Sequence, residues 1–305
     1  RLAGLIPPER VLVITGSALA ERTRALLPSV PPGNVLAEPR AASTGPALAW
    51  TTVAAQDRDP KASVLSLHAD WVVGDDVAFR TAAARALAVA ERHDVLVTVG
   101  IVPNRVEVGY GHIEPGDVLE GDAHRVKGFV EKPDRGRARQ LMEAGALWNS
   151  GMFAWTAARY LAETEAVAPE IAPHLPRLRA GDVAGFFAAV KPIAVDRSHF
   201  ERSPRVAVVP GRFPWDDVGT WAALARVHAL DAGGNVIAGR AFQRDSSGCV
   251  AWGEDGDVVL DGVRDLVVVC ANGVTLVTTK DRAAHLKALL DAMPEELRNR
   301  PERAE

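Results

Sequence analysis

Short, almost wholly apolar runs rich in β-branched residues recur along the first hundred residues. They lie at 11–15, 35–37, 63–67 and 95–99, and runs of this kind are typical of strands buried on both faces of a sheet. Stretches with helical spacing separate them, the clearest being the alanine-rich stretch at 76–92. Because strands that alternate with helices favour right-handed βαβ units, the pattern predicts a Rossmann-like α/β fold with a mostly parallel central sheet and helices on both faces.

The pattern changes between residues 101 and 155, where Gly, Pro and Asp separate short apolar runs. This spacing predicts an antiparallel ribbon, which we expect to lie over the sheet. Within it, 129–133 and 148–153 carry polar residues beside apolar ones, and 134–147 has helical spacing. The segment therefore predicts strand, helix and strand, with its polar residues near strand ends, where open α/β sheets bind small molecules.

The composition shifts again after Gly233 and Gly234, where apolar and polar residues alternate and Gly and Asp are frequent. The runs that predict short stacked strands are 258–260, 266–269 and 274–277. A helix is predicted at 281–293. We therefore divide the chain into an α/β domain at 1–230 and a small β-rich, short β-helix-like domain at 231–305 that ends in a helix.

Composition and charge narrow the class of protein. The chain has 305 residues, of which 48% are apolar and 24% charged, as in ordinary globular proteins. Its net charge of -4 gives no reason to expect a nucleic acid or an anionic membrane as a partner, and no apolar run is long enough for a membrane helix. Cys249 and Cys270 lie in strand-like sequence and fit buried positions in a reducing cytoplasm better than a disulfide or a metal pair.

Two acidic positions are candidates for metal binding. Asp70 follows the apolar run at 63–67, and Asp217 lies beside Asp216 in a tryptophan-rich turn. Two carboxylates from separate loops suit Mg²⁺, which keeps few protein ligands when it also holds substrate phosphates. Each residue also fits an ordinary role, Asp70 as a helix cap or turn residue and Asp217 as a solvated turn carboxylate.

Glu131 and Lys132 place opposite charges at the end of an apolar run. They form either a surface ion pair worth little energy or a binding pair, in which Glu131 accepts hydrogen bonds from hydroxyls and Lys132 contacts a phosphate. Pro133 biases Lys132 towards an extended backbone. Asn149 carries donors and an acceptor, which suits a polyol, and Gly109 lies in a Gly-Tyr-Gly turn that suits backbone contact with a ligand.

Several segments together resemble a known family. They are Glu-Pro at 38–39, Ser-Thr-Gly-Pro-Ala at 43–47, Gly-Tyr-Gly at 109–111, Phe-Val-Glu-Lys-Pro-Asp at 129–134, Trp-Asn-Ser-Gly-Met-Phe at 148–153 and Trp-Asp-Asp-Val-Gly-Thr-Trp at 215–221. With these segments in this order, the chain resembles the sugar-nucleotide pyrophosphorylases, which are nucleotidyltransferases. The resemblance is strongest to the members that use mannose 1-phosphate and GTP.

The resemblance implies an enzyme that makes GDP-mannose and pyrophosphate, with Mg²⁺ as its cofactor. The residues it implies for catalysis are Asp70 and Asp217, which would hold the metal, and Lys132. Those it implies for binding mannose 1-phosphate are Gly109, Glu131, Lys132 and Asn149. Those it implies for binding the nucleotide are Glu38, Pro39, Ser43 and Thr44.

The resemblance also implies an amino-terminal strand and a glycine-rich loop with an Arg, followed by a Pro-Lys pair, which together hold the triphosphate. These would precede Arg1, so we expect the domain at 1–230 to be truncated and the chain as given to be inactive by itself. A homodimer packed through the β-rich tail is a further expectation by analogy.

Two alternatives stay open. Within the same class, the substrates would be glucose 1-phosphate and UTP or dTTP. In a different class, the chain would be a non-catalytic regulatory homologue that binds a sugar nucleotide. The presence of both Asp70 and Asp217 argues against the second alternative.

Overall fold

The computed structural model describes residues 1–283 and 286–298. The chain forms two compact units, one of Arg1–Ala69 with Val73–Phe213 and the other of Asp70–Val72 with the chain from Pro214 onward. The structure thus groups residues 214–230 with the second unit, whereas the sequence-based boundary assigned them to the first.

Packing explains this difference in the boundary. Trp221 and Leu224 pack against a buried cluster that includes Val236 and Val250. The short helical turns that follow residue 220 therefore belong to the core of the β-rich unit, although their helical pattern continues that of the α/β domain.

The regular elements have the following bounds. The strands are β1 (Val13–Gly16), β2 (Val35–Glu38), β3 (Ser63–Ser66), β4 (Val72–Val73), β5 (Leu96–Ile101), β6 (His112–Glu120), β7 (Ala123–Val130), β8 (Leu147–Thr156), β9 (Val206–Gly211), β10 (Trp215–Asp216), β11 (Val236–Arg244), β12 (Val250–Asp261), β13 (Leu266–Ala271) and β14 (Val274–Thr279). The helices are α1 (Ala20–Leu26), α2 (Thr44–Arg58), α3 (Asp76–His93), α4 (Arg135–Glu143), α5 (Ala157–Val167), α6 (Leu175–Arg179), α7 (Val183–Ala189), α8 (Leu224–Val227), α9 (Lys280–Ala283), α10 (Leu286–Ala292) and α11 (Glu295–Arg298). A π-helical turn spans Asp196–Phe200.

A six-stranded sheet with the order β3-β8-β5-β9-β7-β6 forms the centre of the first unit. Strands β3, β5, β6 and β9 run in one direction and β7 and β8 in the other, since β5 pairs parallel with β9 and the other neighbours pair antiparallel. Helix α3 packs on β5, β8 and β9, and α5 packs on β8. The predicted α/β fold is confirmed, with four of the six strands of the central sheet running in one direction and helices flanking it.

Two details of the predicted sheet were wrong. Strands β1 and β2 pair parallel with each other in a separate two-stranded sheet. The ribbon of β6 and β7 does not lie over the central sheet but extends it, because His124 and Arg125 of β7 pair with Val208 and Ala207 of β9. Pairing between strands so distant in sequence leaves no local signal.

Local sequence accounts for the elements that were predicted. All residues of β5 are buried, as its unbroken apolar run requires. Helix α3 begins where the pattern begins, because the side chain of Asp75 caps it by accepting hydrogen bonds from the N–H groups of Val77 and Ala78, both at 2.9 Å. Such a cap satisfies donors that the first helical turn leaves without a partner.

An aromatic core fixes the π-helical turn to the rest of the first unit. Phe200 stacks on Phe153 of β8 at 4.1 Å between ring centroids, and His199 stacks on Tyr160 of α5 at 4.4 Å. The buried imidazole of His199 also lies 2.8 Å from both the Ser198 and the Thr164 hydroxyl oxygens. These contacts set the position of the acidic residues at the two ends of the turn.

The second unit is rich in β-structure, as predicted. Strands β11, β12 and β13 pair parallel in order, and β14 closes the sheet antiparallel to β13. Helices α9 and α10 cover the helix predicted at 281–293 except at Met293, which follows α10, and at residues 284 and 285, which lie outside the described residues. In the described ranges of the chain, no helix has the length and apolar character needed to cross a membrane.

Candidate substrate-binding site

A small pocket of about 70 Å³ in the first unit collects residues from four separate segments. The residues that line it are Gly111, His112, Phe129, Val130, Glu131, Asn149, Asp196 and Glu201. Glu131 and Asn149, both predicted to bind the sugar, therefore lie in one pocket. Gly109 and Lys132 lie within two positions of its lining residues in sequence. Sequence analysis did not predict His112, Asp196 or Glu201.

A bulge in β8 gives Asn149 its place. The pairing register between β5 and β8 shifts between Val99 and Gly100, and Gly100 lies opposite Asn149. Gly151 has a φ of 73°, and the Ser150 hydroxyl donates to the Val99 carbonyl at 2.6 Å. Bulges of this kind re-aim side chains next to binding sites, which explains the Asn-Ser-Gly sequence in this strand.

The carboxamide of Asn149 is held by three neighbours. Its Nδ2 donates to Oδ1 of Asp196 at 2.7 Å, and its Oδ1 accepts from the Thr98 hydroxyl at 3.4 Å and from the Gly151 N–H at 3.3 Å. Because a carboxamide has two N–H donors, one of them stays available to a ligand.

Gly111 leaves the space in which the Glu131 carboxylate lies. A Cβ at position 111 would stand 2.8 Å from Oε2 of Glu131 and 3.6 Å from Cβ of Asn149. The N–H of Gly109, by contrast, donates to Oε1 of Glu107 at 3.0 Å. Within the Gly-Tyr-Gly turn, Gly111 is thus the residue that shapes the pocket.

Lys132 has a backbone that sequence analysis did not foresee. Its φ of 42° is left-handed, so the expectation that Pro133 holds it extended was wrong. The chain must turn here between β7 and Asp134, whose carboxylate caps α4 by accepting from the N–H of Arg137 at 2.9 Å. The Nζ of Lys132 lies 3.5 Å from Oε1 of Glu131, with both side chains more than half exposed. An ion pair this exposed is worth little energy, so it opens readily for an anion.

Positive φ angles mark the segments that carry the family resemblance. Among non-glycine residues of the described chain, Ser43, Lys132 and Val218 have φ angles of 66°, 42° and 49°. The others are Asp94, Asp245, Asp265 and Asn272, types that tolerate this region. For Ser, Lys and Val the conformation is strained, and strain of this kind concentrates at functional sites.

The start of α2 carries two of the residues predicted for the nucleotide. Ser43 stands at its N-cap position without a side-chain capping bond. The Thr44 hydroxyl accepts from the N–H of Val195 at 2.9 Å, and the Gly45 N–H donates to the carbonyl of Ile193 at 2.9 Å. The segment before the π-helical turn is therefore tied to the amino terminus of α2.

Glu38 ends the parallel strand β2, and exposed Pro39 follows it. The Oε1 atom of Glu38 is buried and has no hydrogen-bond partner, and burial raises the pKa of this carboxyl above its ordinary value. A buried acceptor without a donor is costly. Glu38 therefore has hydrogen-bonding capacity to offer a ligand.

The two aspartates of the tryptophan-rich turn differ sharply. Asp216 is buried and accepts hydrogen bonds from Arg226 at 2.5 and 2.9 Å and from the N–H of Val218 at 2.9 Å. Asp217 is half-buried and accepts from the N–H of Gly219 at 3.2 Å. Asp216 is thus committed to a structural ion pair, whereas the Asp217 carboxylate, with about four acceptor sites, can also bind a metal.

Asp70 and Asp217 both belong to the second unit. Asp70 is exposed. Across the described residues no group of three or more His, Cys, Asp and Glu side chains is arranged to hold a metal. Two carboxylates nevertheless fit Mg²⁺, which takes one or two from the protein and completes its shell with water and substrate phosphates.

Comparison with known proteins identifies the family. Residues 9–233 match the family described as nucleotidyl transferase. The mannose-1-phosphate guanylyltransferase of Escherichia coli (strain K12) is 35% identical over 276 residues, which are 85% of this chain and 57% of that protein. The alginate biosynthesis protein AlgA of Pseudomonas aeruginosa is 37% identical over 269 residues, 83% of this chain and 55% of that protein. The chain thus spans little more than half the length of these curated relatives.

A solved structure agrees with these matches. The Thermus thermophilus protein described as a mannose-1-phosphate geranyltransferase has a TM-score of 0.87 and 36% identity, covering 95% of this chain and 86% of that one. The family resemblance predicted from the short segments is therefore confirmed. The chain belongs to the nucleotidyl transferase family.

Proposed function

We propose that this chain is the nucleotidyl-transfer part of a mannose-1-phosphate guanylyltransferase, which makes GDP-mannose and pyrophosphate from GTP and mannose 1-phosphate. The observation that carries the proposal is the pocket that unites Gly111, Glu131 and Asn149 from three separate segments. The name of the Escherichia coli relative supports the choice of substrates.

The pocket suits the sugar end of mannose 1-phosphate. The Glu131 carboxylate accepts hydrogen bonds from sugar hydroxyls, and the remaining N–H of Asn149 donates one. Lys132 exchanges its exposed ion pair with Glu131 for the phosphate of the sugar, whose charge it matches. This arrangement orients the sugar phosphate with its oxygen directed at the second substrate.

The reaction needs no covalent intermediate on the protein. An oxygen of the sugar phosphate attacks the α-phosphorus of GTP, and the bond from that phosphorus to the oxygen bridging to the β-phosphate breaks. The bonding electrons leave with pyrophosphate. Because the attacking oxygen is already anionic at neutral pH, no general base is required, and the protein contributes positioning and electrostatic stabilisation.

The nucleotide side uses the end of β2 and the start of α2. The residues proposed there are Glu38, Pro39, Ser43 and Thr44. The buried Oε1 of Glu38, which lacks a donor, supports a hydrogen bond from the nucleotide. The strained backbone at Ser43 supports a role for this turn in ligand contact.

Asp70 and Asp217 would hold Mg²⁺. When bound, the ion would neutralise charge on the phosphates of both substrates. Asp216 would not take part, since Arg226 and the backbone already occupy its carboxylate.

The experiment is a pyrophosphate-release assay on the full-length protein with Mg²⁺. GTP, UTP and dTTP are each paired with mannose 1-phosphate and with glucose 1-phosphate. We expect GTP with mannose 1-phosphate to give the highest kcat/KM. A preference for glucose 1-phosphate with UTP or dTTP would replace this proposal with the related one, and no turnover with any pair would support a non-catalytic homologue.

A further inference from the structure

The pocket in the first unit contains more hydrogen-bond acceptors than the proposed sugar contacts use. Glu131, Asp196 and Glu201 all line it. Burial raises the pKa of the Glu201 carboxyl, and the nearby charges of Asp196 and Glu131 raise it further. The pocket therefore concentrates negative charge, and its lining offers few donors to balance it.

His112 adds an acceptor of a different kind. Its side chain is buried, with 1% exposed, and its Nδ1 lies 3.1 Å from the carbonyl oxygen of Tyr110. Because a carbonyl only accepts, Nδ1 carries the proton of the neutral ring. Burial lowers the pKa of His112, which keeps the ring neutral. Its Nε2 is thus an acceptor, and it has no hydrogen-bond partner.

Asp196 is placed for a similar role. Its Oδ1 accepts from Nδ2 of Asn149 at 2.7 Å, which leaves Oδ2 for another donor. Asp196 begins the π-helical turn, and π-helical turns occur frequently at functional sites. The stack of Phe200 on Phe153 fixes this turn against β8, so Asp196 and Asn149 hold each other in place.

The chemistry of these atoms selects one kind of ligand. In the described residues, no group of three or more His, Cys, Asp and Glu side chains is arranged to hold a metal, so the carboxylates and the imidazole of this pocket do not form such a group. A phosphate would be repelled by Glu131, Asp196 and Glu201. Hydroxyl groups, in contrast, donate to carboxylates and to a neutral imidazole, and they also accept from the remaining N–H of Asn149.

We propose that His112 and Asp196 are specificity-determining residues of this pocket, whose Nε2 and Oδ2 atoms accept hydrogen bonds from two hydroxyl groups of the hexose. The inference rests on the proposed function, since it takes the hexose from mannose 1-phosphate. Asp196 also positions Asn149 through their hydrogen bond. Asp196 therefore acts on the sugar both by direct contact and through Asn149.

Substitutions separate these contacts from folding. In His112→Asn, the amide keeps a donor for the Tyr110 carbonyl but has no atom at the position of Nε2, whereas His112→Gln restores a polar atom there. Asp196→Asn keeps an acceptor for Asn149 but removes the charge. The matched control is Asp117→Asn, an exposed position on β6.

The measurement is steady-state kinetics of the full-length protein with mannose 1-phosphate and with analogues that each lack one hydroxyl. We expect His112→Asn and Asp196→Asn each to raise KM for mannose 1-phosphate about tenfold. This is the effect expected from the loss of one hydrogen bond to a charged or buried group. KM for GTP should stay within about twofold, and the effect of each substitution should vanish with one particular deoxy analogue. His112→Gln should restore part of the loss.

The outcomes distinguish this inference from the proposed function. If the wild-type protein does not turn over mannose 1-phosphate, both fail. If it does, but KM is unchanged in the variants or rises equally for every deoxy analogue, only the inference is overturned. Should one variant not fold, the other variant decides, because His112 and Asp196 are each proposed to contact a different hydroxyl and each loss must vanish with its own deoxy analogue.

Discussion

The neighbouring aspartates of the tryptophan-rich turn should respond in opposite ways to the same substitution. Asp216 is 4% exposed and accepts two hydrogen bonds from the guanidinium of Arg226 as well as one from the backbone. Asp216→Asn removes the charge and one guanidinium contact, but the Arg226 side chain is 36% exposed and regains some hydration. We therefore expect the free energy of unfolding to decrease by about 2–3 kcal/mol.

Asp217→Asn should lower stability less than Asp216→Asn does and should remove activity. Its carboxylate is half-buried and accepts a bond from the Gly219 N–H at 3.2 Å, which an asparagine carbonyl can also accept. The expected decrease in the free energy of unfolding is smaller than the one for Asp216→Asn, whose carboxylate is buried in an ion pair. Asp217 is a proposed metal ligand. Because the neutral amide of asparagine binds Mg²⁺ more weakly than a carboxylate, turnover should fall by about a hundredfold or more.

The two variants serve as each other's control. Urea unfolding measures the change in stability, and pyrophosphate release over a range of Mg²⁺ concentrations measures turnover and the metal requirement. Normal turnover in Asp217→Asn at every Mg²⁺ concentration would remove Asp217 from the metal site. An Asp216→Asn variant as stable as the wild type would show that the Arg226 ion pair contributes little.

Three further changes test other parts of the structure. Gly111→Ala places a Cβ 2.8 Å from Oε2 of Glu131, so KM for mannose 1-phosphate should rise about tenfold. The control Gly33→Ala, whose Cβ meets no atom within 4 Å, should not change KM. If the two variants had the same KM, the role of Gly111 would be contradicted. Burial lowers the pKa of His199 from 6.5 to about 4, so the unfolded chain binds more protons between these values. His199 should therefore account for a loss of about 2 kcal/mol of stability at pH 5 relative to pH 8, and in urea unfolding His199→Gln should lose that much less than the wild type. Ser43→Gly relieves a positive φ and should stabilise the fold by about 1 kcal/mol in urea unfolding; a destabilised variant would show that Ser43 is not strained.

Elements with strong local signals could be predicted from the sequence. The helix expected at 76–92 is α3 (Asp76–His93), because its alanine-rich pattern and its Asp75 cap act within a few residues of the chain. The position of β8 between β3 and β5 could not be predicted. It depends on pairings between residues far apart in sequence. A strand buried on both faces also shows the same kind of apolar run whether its neighbour is parallel or antiparallel, so the run does not reveal the neighbour.

Some residues of the candidate site could likewise be predicted from local sequence, whereas others join the site only through tertiary structure. Glu131 and Asn149 lie in segments whose own sequence suggests ligand binding, and both line the pocket. His112 follows the Gly-Tyr-Gly turn directly, but it joins the pocket through the pairing of β6 with β8. Asp196 lies 47 residues beyond Asn149, in a turn whose π-helical form has no sequence rule. Lys132 shows the limit of a local rule, since tertiary structure overrode the preference set by Pro133.

The strained residues connect these observations. Val218 has a β-branched side chain, for which a φ of 49° is costly. This conformation belongs to a turn in which two consecutive N–H groups donate hydrogen bonds to two carboxylates. The N–H of Val218 donates to Asp216 and that of Gly219 to Asp217. The hydrogen bonds that Arg226 donates to Asp216 offset a strain of about 1–3 kcal/mol.

The strain therefore has a structural consequence at Asp217. Asp216 is buried, whereas Asp217 is half-buried, although the two are neighbours in sequence. Replacing Val218 by Gly would remove the strain but would also free the backbone to rotate. We infer that the ion pair at Asp216 and the tight turn together keep the Asp217 carboxylate in one orientation, which is what a metal ligand on a loop requires.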